Sequence, residues 1–363
     1  MTAAINTNAW VGETRQFSNE RGCQMPGAAR REIVADGEVG AYHCTARCVR
    51  RAFLCGKDRL TGKDYSHRKE WVRTSLERLA GSFAIDVSGF AIMDNHLHVI
   101  VRQRPDIAKG WSAEDVTRRW RMIFGSPPKT KQDRERFETV VAVESQDPKL
   151  VKLRRARLAS VSWFMRCLCE PIARRANKED GCTGRFWEGR FRSQALLDDA
   201  AVLACSAYVD LNPVRAKVAA TPETSRNTSI YERIAERQKP AKRSEVSRDG
   251  WLSPMAGQSS RGTGVDRRAS HDEFITLKLD EYVSLLDWTG RQIRQNKHGA
   301  IRADLSPILD RLKIQPEGWL HIVTQFGRLF KHAAGSPAKL THYAKSLGRS
   351  WLKGIGPSRA SFL

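Results

Sequence analysis

Ten residues, Met93–Arg102, read MDNHLHVIVR, and they restrict the fold more than any other stretch. Side chains on a strand alternate faces with a period of two. His96 and His98 therefore share one side, Leu97 points to the other, and Val99-Ile100-Val101 carries the strand onward. Two imidazoles side by side form a two-nitrogen metal site awaiting a third ligand. The plainer alternative is a polar edge strand with solvated histidines. Just upstream, Phe83–Met93 reads as a second strand with a polar interruption at Asp86–Gly89. An Asp94-Asn95 turn joins the two runs into a hairpin.

The preceding elements extend this sheet. Ala41–Val49 alternates, with Tyr42, Cys44, Ala46 and Cys48 on one face and His43, Thr45 and Arg47 on the other. His43 reads as a polar residue on the open sheet face, a third metal ligand being the alternative. Between this strand and the hairpin, Asp64–Ala80 has Trp71, Leu76 and Leu79 at helical spacing, and Gly81 stops it. The order is strand, helix, strand, strand.

Charge narrows the class of partner. The 363 residues carry a formal charge of +22 and a pI near 10, and such an excess of Lys and Arg predicts a polyanionic partner, nucleic acid being the usual one. No apolar run is long enough to cross a bilayer, and the first residues lack the basic-then-apolar order of a signal peptide. A cytoplasmic protein is expected. Eight cysteines, at 23, 44, 48, 55, 167, 169, 182 and 205, contain no C-x-x-C pair. This disfavours a zinc ribbon, and the expected compartment disfavours disulfides. They read mainly as small buried hydrophobes.

Three later stretches bear on function. Ser112–Phe124 is a helix with Ser112 as N-cap, and Arg118, Arg119 and Arg121 surround Trp120. It suits a phosphate backbone or a solvated basic face. Gly184–Leu197 repeats an Arg-Phe pair at Arg185-Phe186 and Arg190-Phe191. Aromatics interleaved with arginines suit single-stranded nucleic acid; the equal alternative is a hairpin with its aromatics in the core. In Asp198–Val214, DDAAVLACSAYVDLNPV, Tyr208 and Asn212 form an i,i+4 pair on one helix face. That tyrosine and amide can both meet a metal held by the histidines, although a lone tyrosine is more often structural.

Asn95-His96-Leu97-His98 together with Tyr208-Val209-Asp210-Leu211-Asn212-Pro213-Val214 resembles the IS200-like transposases, especially the REP-associated tyrosine transposases of the HUH class of single-tyrosine DNA nucleases. His43 and Arg47, Arg119-Trp120-Arg121 and Arg185-Phe186-Trp187-Glu188 support the resemblance, which spans about residues 41–216. It implies an α+β fold: a ferredoxin-like antiparallel sheet with helices on one face. It also implies His96 and His98 as metal ligands and Tyr208 as nucleophile. Asn212 stands where related transposases have a glutamine that can complete the metal site. The expected ion is Mg2+ or Mn2+, the expected intermediate a 5′-phosphotyrosine, and the expected substrate single-stranded or hairpin DNA. Arg47, Arg119, Arg121, Arg185 and Arg190 are the candidate DNA contacts. Family members act as monomers or homodimers.

The expected organisation is a flexible arm over residues 1–38, then a transposase domain over 39–218 with an insertion at about 125–150. A linker over 219–270 follows, with one short helical run near Tyr231. A mainly helical C-terminal extension over 271–363 reads as a DNA-binding module or as a packing appendage. Besides a strand transferase, three classes fit in part. The first is a domesticated DNA binder without chemistry. The second is an HUH replication initiator or relaxase, which commonly orders tyrosine and histidines differently. The third is a histidine-metal hydrolase of small molecules, disfavoured by the charge and the scarcity of carboxylates near the histidines.

Overall fold

The computed structural model describes residues 33–34, 37–49, 52–58, 61–125, 128–238, 250–257, 268–295 and 306–362. The chain is α+β, with a sheet and a helical C-terminal part. Four strands, β1 (Gly40–Arg47), β2 (Ile85–Ile92), β3 (His96–Gln103) and β4 (Arg192–Leu196), pair antiparallel in the order β2-β3-β1-β4, the ferredoxin-like arrangement. A two-residue β5 (Ala333–Ala334) joins β4 in parallel. The hairpin turns at Asp94-Asn95, closed by Met93 N–H donating to the His96 carbonyl at 2.8 Å. The polar interruption in β2 is a β-bulge between Val87 and Gly89.

The helices before the tyrosine are α1 (His67–Ala80), α2 (Pro105–Gly110), α3 (Ala113–Phe124), α4 (Lys131–Glu144), α5 (Pro148–Leu158) and α6 (Val161–Glu179). Ser112 caps α3 in a capping box with Asp115. The stretch read as an aperiodic insertion contains α4. Its Thr130–Asp133 capping box fixes the start, but only Val141 is buried, so it lacks the apolar stripe that periodicity detects. The amphipathic helical stretch over 148–177, with interruptions expected near Ser160 and at Pro171, is two helices, α5 and α6, parted at Ala159-Ser160; Pro171 lies inside α6 without ending it.

Beyond β4 come α7 (Asp199–Asp210), α8 (Asn212–Arg215), α9 (Ser229–Gln238), α10 (Leu279–Gln295), α11 (Ser306–Arg311), α12 (Pro316–Leu329), α13 (Pro337–Ser346) and α14 (Ile355–Arg359). Strand register sorts the two faces of the sheet. Tyr42, Cys44 and Ala46 pair with Val101, Val99 and Leu97 on one face; His43, Thr45 and Arg47 pair with Ile100, His98 and His96 on the other. The first face is apolar, buried, and backed by the crossover helices α1 and α6, where Gln103 Oε1 accepts from Val161 N–H at 3.3 Å. The histidine face is covered by α7, whose Tyr208 ring meets His43 and His98.

The helical C-terminal part shares one continuous apolar core with the sheet; Leu285, Trp319, Phe326 and Phe330 belong to the same cluster as Val99 and Leu203. Between 219 and 270, α9 packs on β2, and Trp251 stacks on Phe90 at 5.5 Å between ring centres. Most of the arm expected over 1–38 lies outside the described residues. Cys44, Cys48, Cys55, Cys167 and Cys205 are buried free thiols, while Cys182 is exposed.

Candidate active site

His98 is buried in the middle of β3, and His43 sits diagonally across on β1. The His43 Nε2 lies 2.8 Å from the His98 Nδ1, and the His43 Nδ1 lies 3.4 Å from Gln194 Oε1 on β4. One proton arrangement satisfies this row: His98 Nδ1–H donates to His43 Nε2, and His43 Nδ1–H donates to Gln194. It leaves the His98 Nε2 with a lone pair, and that buried atom has no hydrogen-bond partner. His96 is fixed in the same sense, its Nδ1 2.6 Å from Asn95 Oδ1. The two ligand candidates thus keep Nε2 free while their Nδ1 atoms are held from behind, as metal-binding histidines commonly are.

Electrostatics agree. Burial, then Arg47 and Arg215, lowers the pKa of His96 to about 4. Burial also lowers His43 to about 4 and takes His98 well below its ordinary value. All three are neutral at pH 7, the form a cation requires. Among the described residues no group of three or more His, Cys, Asp or Glu side chains could hold a metal. The candidate donors are two imidazoles and the buried Asn212 amide, one helical turn beyond Tyr208.

Tyr208 enters this face from α7, which Asp198 caps through Ala201 N–H at 2.9 Å. Its ring centre lies 5.6 Å from that of His98 and 6.0 Å from that of His43, both edge-on. The ring also meets Phe326 of α12 at 5.7 Å, which in turn lies 6.4 Å from the His43 ring, and a Cβ at Gly327 would come within 3.0 Å of the Tyr208 hydroxyl. The Arg215 guanidinium stacks on the ring, its Cζ 3.8 Å from the centre. The end of α7 is tied down by Asp210. This buried carboxylate accepts from Ser229 Oγ at 2.6 Å, Ile230 N–H at 3.0 Å and the Tyr282 hydroxyl at 2.7 Å. Burial pushes its pKa up, against the pull of those donors.

The candidate DNA contacts divide. Arg47 is exposed at the end of β1, in register with His96. Arg185 and Arg190 are exposed, but Phe186 and Phe191 are buried, so the aromatics of that repeat build core. Arg119 donates to the Gly81 carbonyl at 2.8 Å and lies over Trp111, and Arg121 is paired with Glu144. Those two arginines are engaged within the chain.

No family model matches the chain, and no curated protein matches it. One solved structure does. It is the structure of a REP-associated tyrosine transposase bound to a REP hairpin. The two share 11% identity over 55% of this chain and 82% of the other, with a TM-score of 0.29. A likeness at that level assigns no residue a role.

Reading the sequence missed Arg215 and Gln194. Arg215 had a signal: with Tyr208 and Asn212 it completes an i, i+4, i+7 stripe. Gln194 and the α12 residues had none, because strand pairing and tertiary packing bring them in. Among the described residues no helix is long and apolar enough to cross a membrane.

Proposed function

We propose that this chain cuts and rejoins single-stranded or hairpin DNA, with Tyr208 as the nucleophile. The observation that carries the reading is the meeting of the Tyr208 ring with the buried, neutral His98, whose Nε2 has no partner. The Tyr208 oxygen attacks phosphorus, the P–O3′ bond breaks, and the leaving 3′ oxygen takes up a proton. The DNA is left joined to the protein through a 5′-phosphotyrosine, and the 3′ hydroxyl of a second strand can reverse the step without an external energy source. His96 and His98, with Asn212 as the candidate third donor, would hold a Mg2+ or Mn2+ ion. When bound, the ion neutralises charge on the scissile phosphate and the leaving oxygen. Arg47, Arg185 and Arg190 supply exposed positive charge for the strand. The resemblance carried by the two motifs points the same way.

A second reading, a DNA-binding protein on this fold that does not cut, is favoured by the α12 helix lying against Tyr208. One assay separates them. A labelled single-stranded hairpin is incubated with Mg2+ or Mn2+ and run on a denaturing gel. The wild-type chain should yield a protein-linked band on the 3′ fragment. Tyr208→Phe should keep DNA binding and lose the band, a fall of about 10^4-fold or more in rate. A band that persists in Tyr208→Phe would remove Tyr208 as nucleophile, and binding without any band in wild type would favour the second reading.

A further inference from the structure

Among the described residues Arg215 is a cation that no carboxylate neutralises. It lies partly buried at the end of α8, seven residues after Tyr208. The backbone bonds Leu211 N–H to Ala207 carbonyl at 3.0 Å and Arg215 N–H to Leu211 carbonyl at 2.9 Å carry the helical course across the join between α7 and α8. Two turns along one face therefore bring Tyr208, Asn212 and Arg215 into a stripe. The guanidinium stacks on Tyr208 and donates one Nη1–H to the Val323 carbonyl at 2.8 Å. Among the described residues no carboxylate pairs with it.

Burial works against this charge, and the neighbouring Tyr208 oxygen supports it. The positive potential also acts on the histidines: Arg215 helps to lower the pKa of His43, His96 and His98. A guanidinium carries five N–H donors in a planar fork that matches phosphate oxygens. The Val323 carbonyl and the Tyr208 oxygen engage part of that fork and leave further donors for a phosphate.

We propose that Arg215 is the anion-binding residue of this site, gripping a non-bridging oxygen of a DNA phosphate and holding it beside Tyr208. The proposal rests on the nuclease reading for its catalytic consequence, though not for phosphate binding itself. The guanidinium stays protonated throughout. It fixes the phosphate while the bond from Tyr208 to phosphorus forms and the P–O3′ bond breaks.

The full-length chain tests this in two arms. The first follows adduct formation on saturating labelled hairpin DNA with Mn2+. Arg215→Lys keeps a charge and a donor for Val323 but loses the fork; it should slow the adduct step about a hundredfold while DNA affinity changes little. Arg215→Ala should be slower still, and free guanidinium chloride should restore about tenfold of its rate. A structural staple would not respond to guanidinium. Rates within threefold of wild type in both variants, or a folded Arg215→Ala whose rate guanidinium does not raise, would overturn the proposal. The second arm titrates inorganic phosphate and follows the Arg215 side-chain NMR signal, assigned by its loss in Arg215→Lys. The signal should move in wild type and in Tyr208→Phe. A signal that does not respond to phosphate overturns the proposal. A responding signal in a chain that never forms an adduct keeps the anion site and rejects the nuclease reading alone.

Discussion

The two walls of the site are built from opposite kinds of structure. On the histidine wall, Gln194, His43 and His98 stand on three adjacent strands, and strand register brings them together. On the tyrosine wall, Tyr208 stands on a helix held by distant partners. Asp210 is bonded by Tyr282, Arg215 reaches Val323, and the ring leans on Phe326. The histidine wall is thus placed mainly by the sheet, with lesser C-terminal contacts through His43 on Phe326 at 6.4 Å and β4 on β5, whereas the tyrosine wall depends on packing contributed roughly 70 to 120 residues downstream. Changes in the C-terminal helices should reach the proposed nucleophile before they reach the proposed metal ligands.

The largest expected effect comes from removing those helices. Ending the chain after Ser270 deletes β5 and the helices that share the core with α7. The fragment should lose cooperative thermal unfolding and bind a hydrophobic dye. A fragment that melts cooperatively and still forms the adduct would break the comparison outright, since the tyrosine wall would then stand without its downstream supports.

Next is the metal. His96→Ala with His98→Ala should weaken Mn2+ binding by more than about a hundredfold, read by electron paramagnetic resonance, with circular dichroism retained. Tight Mn2+ binding at the same stoichiometry in the double variant would remove this pair as ligands.

The sheet and the histidine pair were legible because strands advertise themselves locally. The alternation of MDNHLHVIVR, the turn at Asp94-Asn95 and the parity of His43 with Arg47 all survive into the structure. The order of the walls was legible too, through Tyr208 and Asn212. Two things were not. The helix α4 lacks an apolar stripe. The placement of α12 over Tyr208 is set by packing between segments more than 100 residues apart, roughly, a separation at which no local pattern speaks. The Arg-Phe repeat was ambiguous for a different reason: one pattern serves both a stacking surface and a core, and burial of Phe186 and Phe191 decides for core.

A third expectation concerns acid. The His43 pKa is about 4 in the fold, mainly through burial, against about 6.5 in an unfolded chain. Between these values the unfolded chain binds a proton that the folded chain refuses. Stability should therefore be unaffected by His43 above pH 6.5 and fall as pH drops from 6.5 to 4, by about 3 kcal/mol in total. Urea melts of metal-free wild type and His43→Gln across this window should diverge in slope, with the variant flatter. Equal slopes would mean that His43 is not held neutral, and the histidine wall would be less rigid than the comparison requires.

The smallest effect separates the walls most cleanly. Tyr282→Phe removes one hydroxyl and leaves the ring, so packing in α10 changes little. It takes from Asp210 the donor on Oδ2, while Ser229 and Ile230 keep Oδ1. A buried carboxylate left short of a partner should cost about 1–3 kcal/mol and push its pKa further up, since Tyr282 is one of the donors holding it down. Asp210 ends the helix that presents Tyr208, so the adduct rate should fall by a small factor. Nothing in the change touches β1, β3 or β4, so Mn2+ affinity should not move. If stability and adduct rate fall together while Mn2+ affinity holds, the walls are mechanically separate. If Mn2+ affinity falls in parallel, Tyr208 and the histidines form one coupled unit, and the C-terminal helices support the metal ligands as directly as they support the tyrosine.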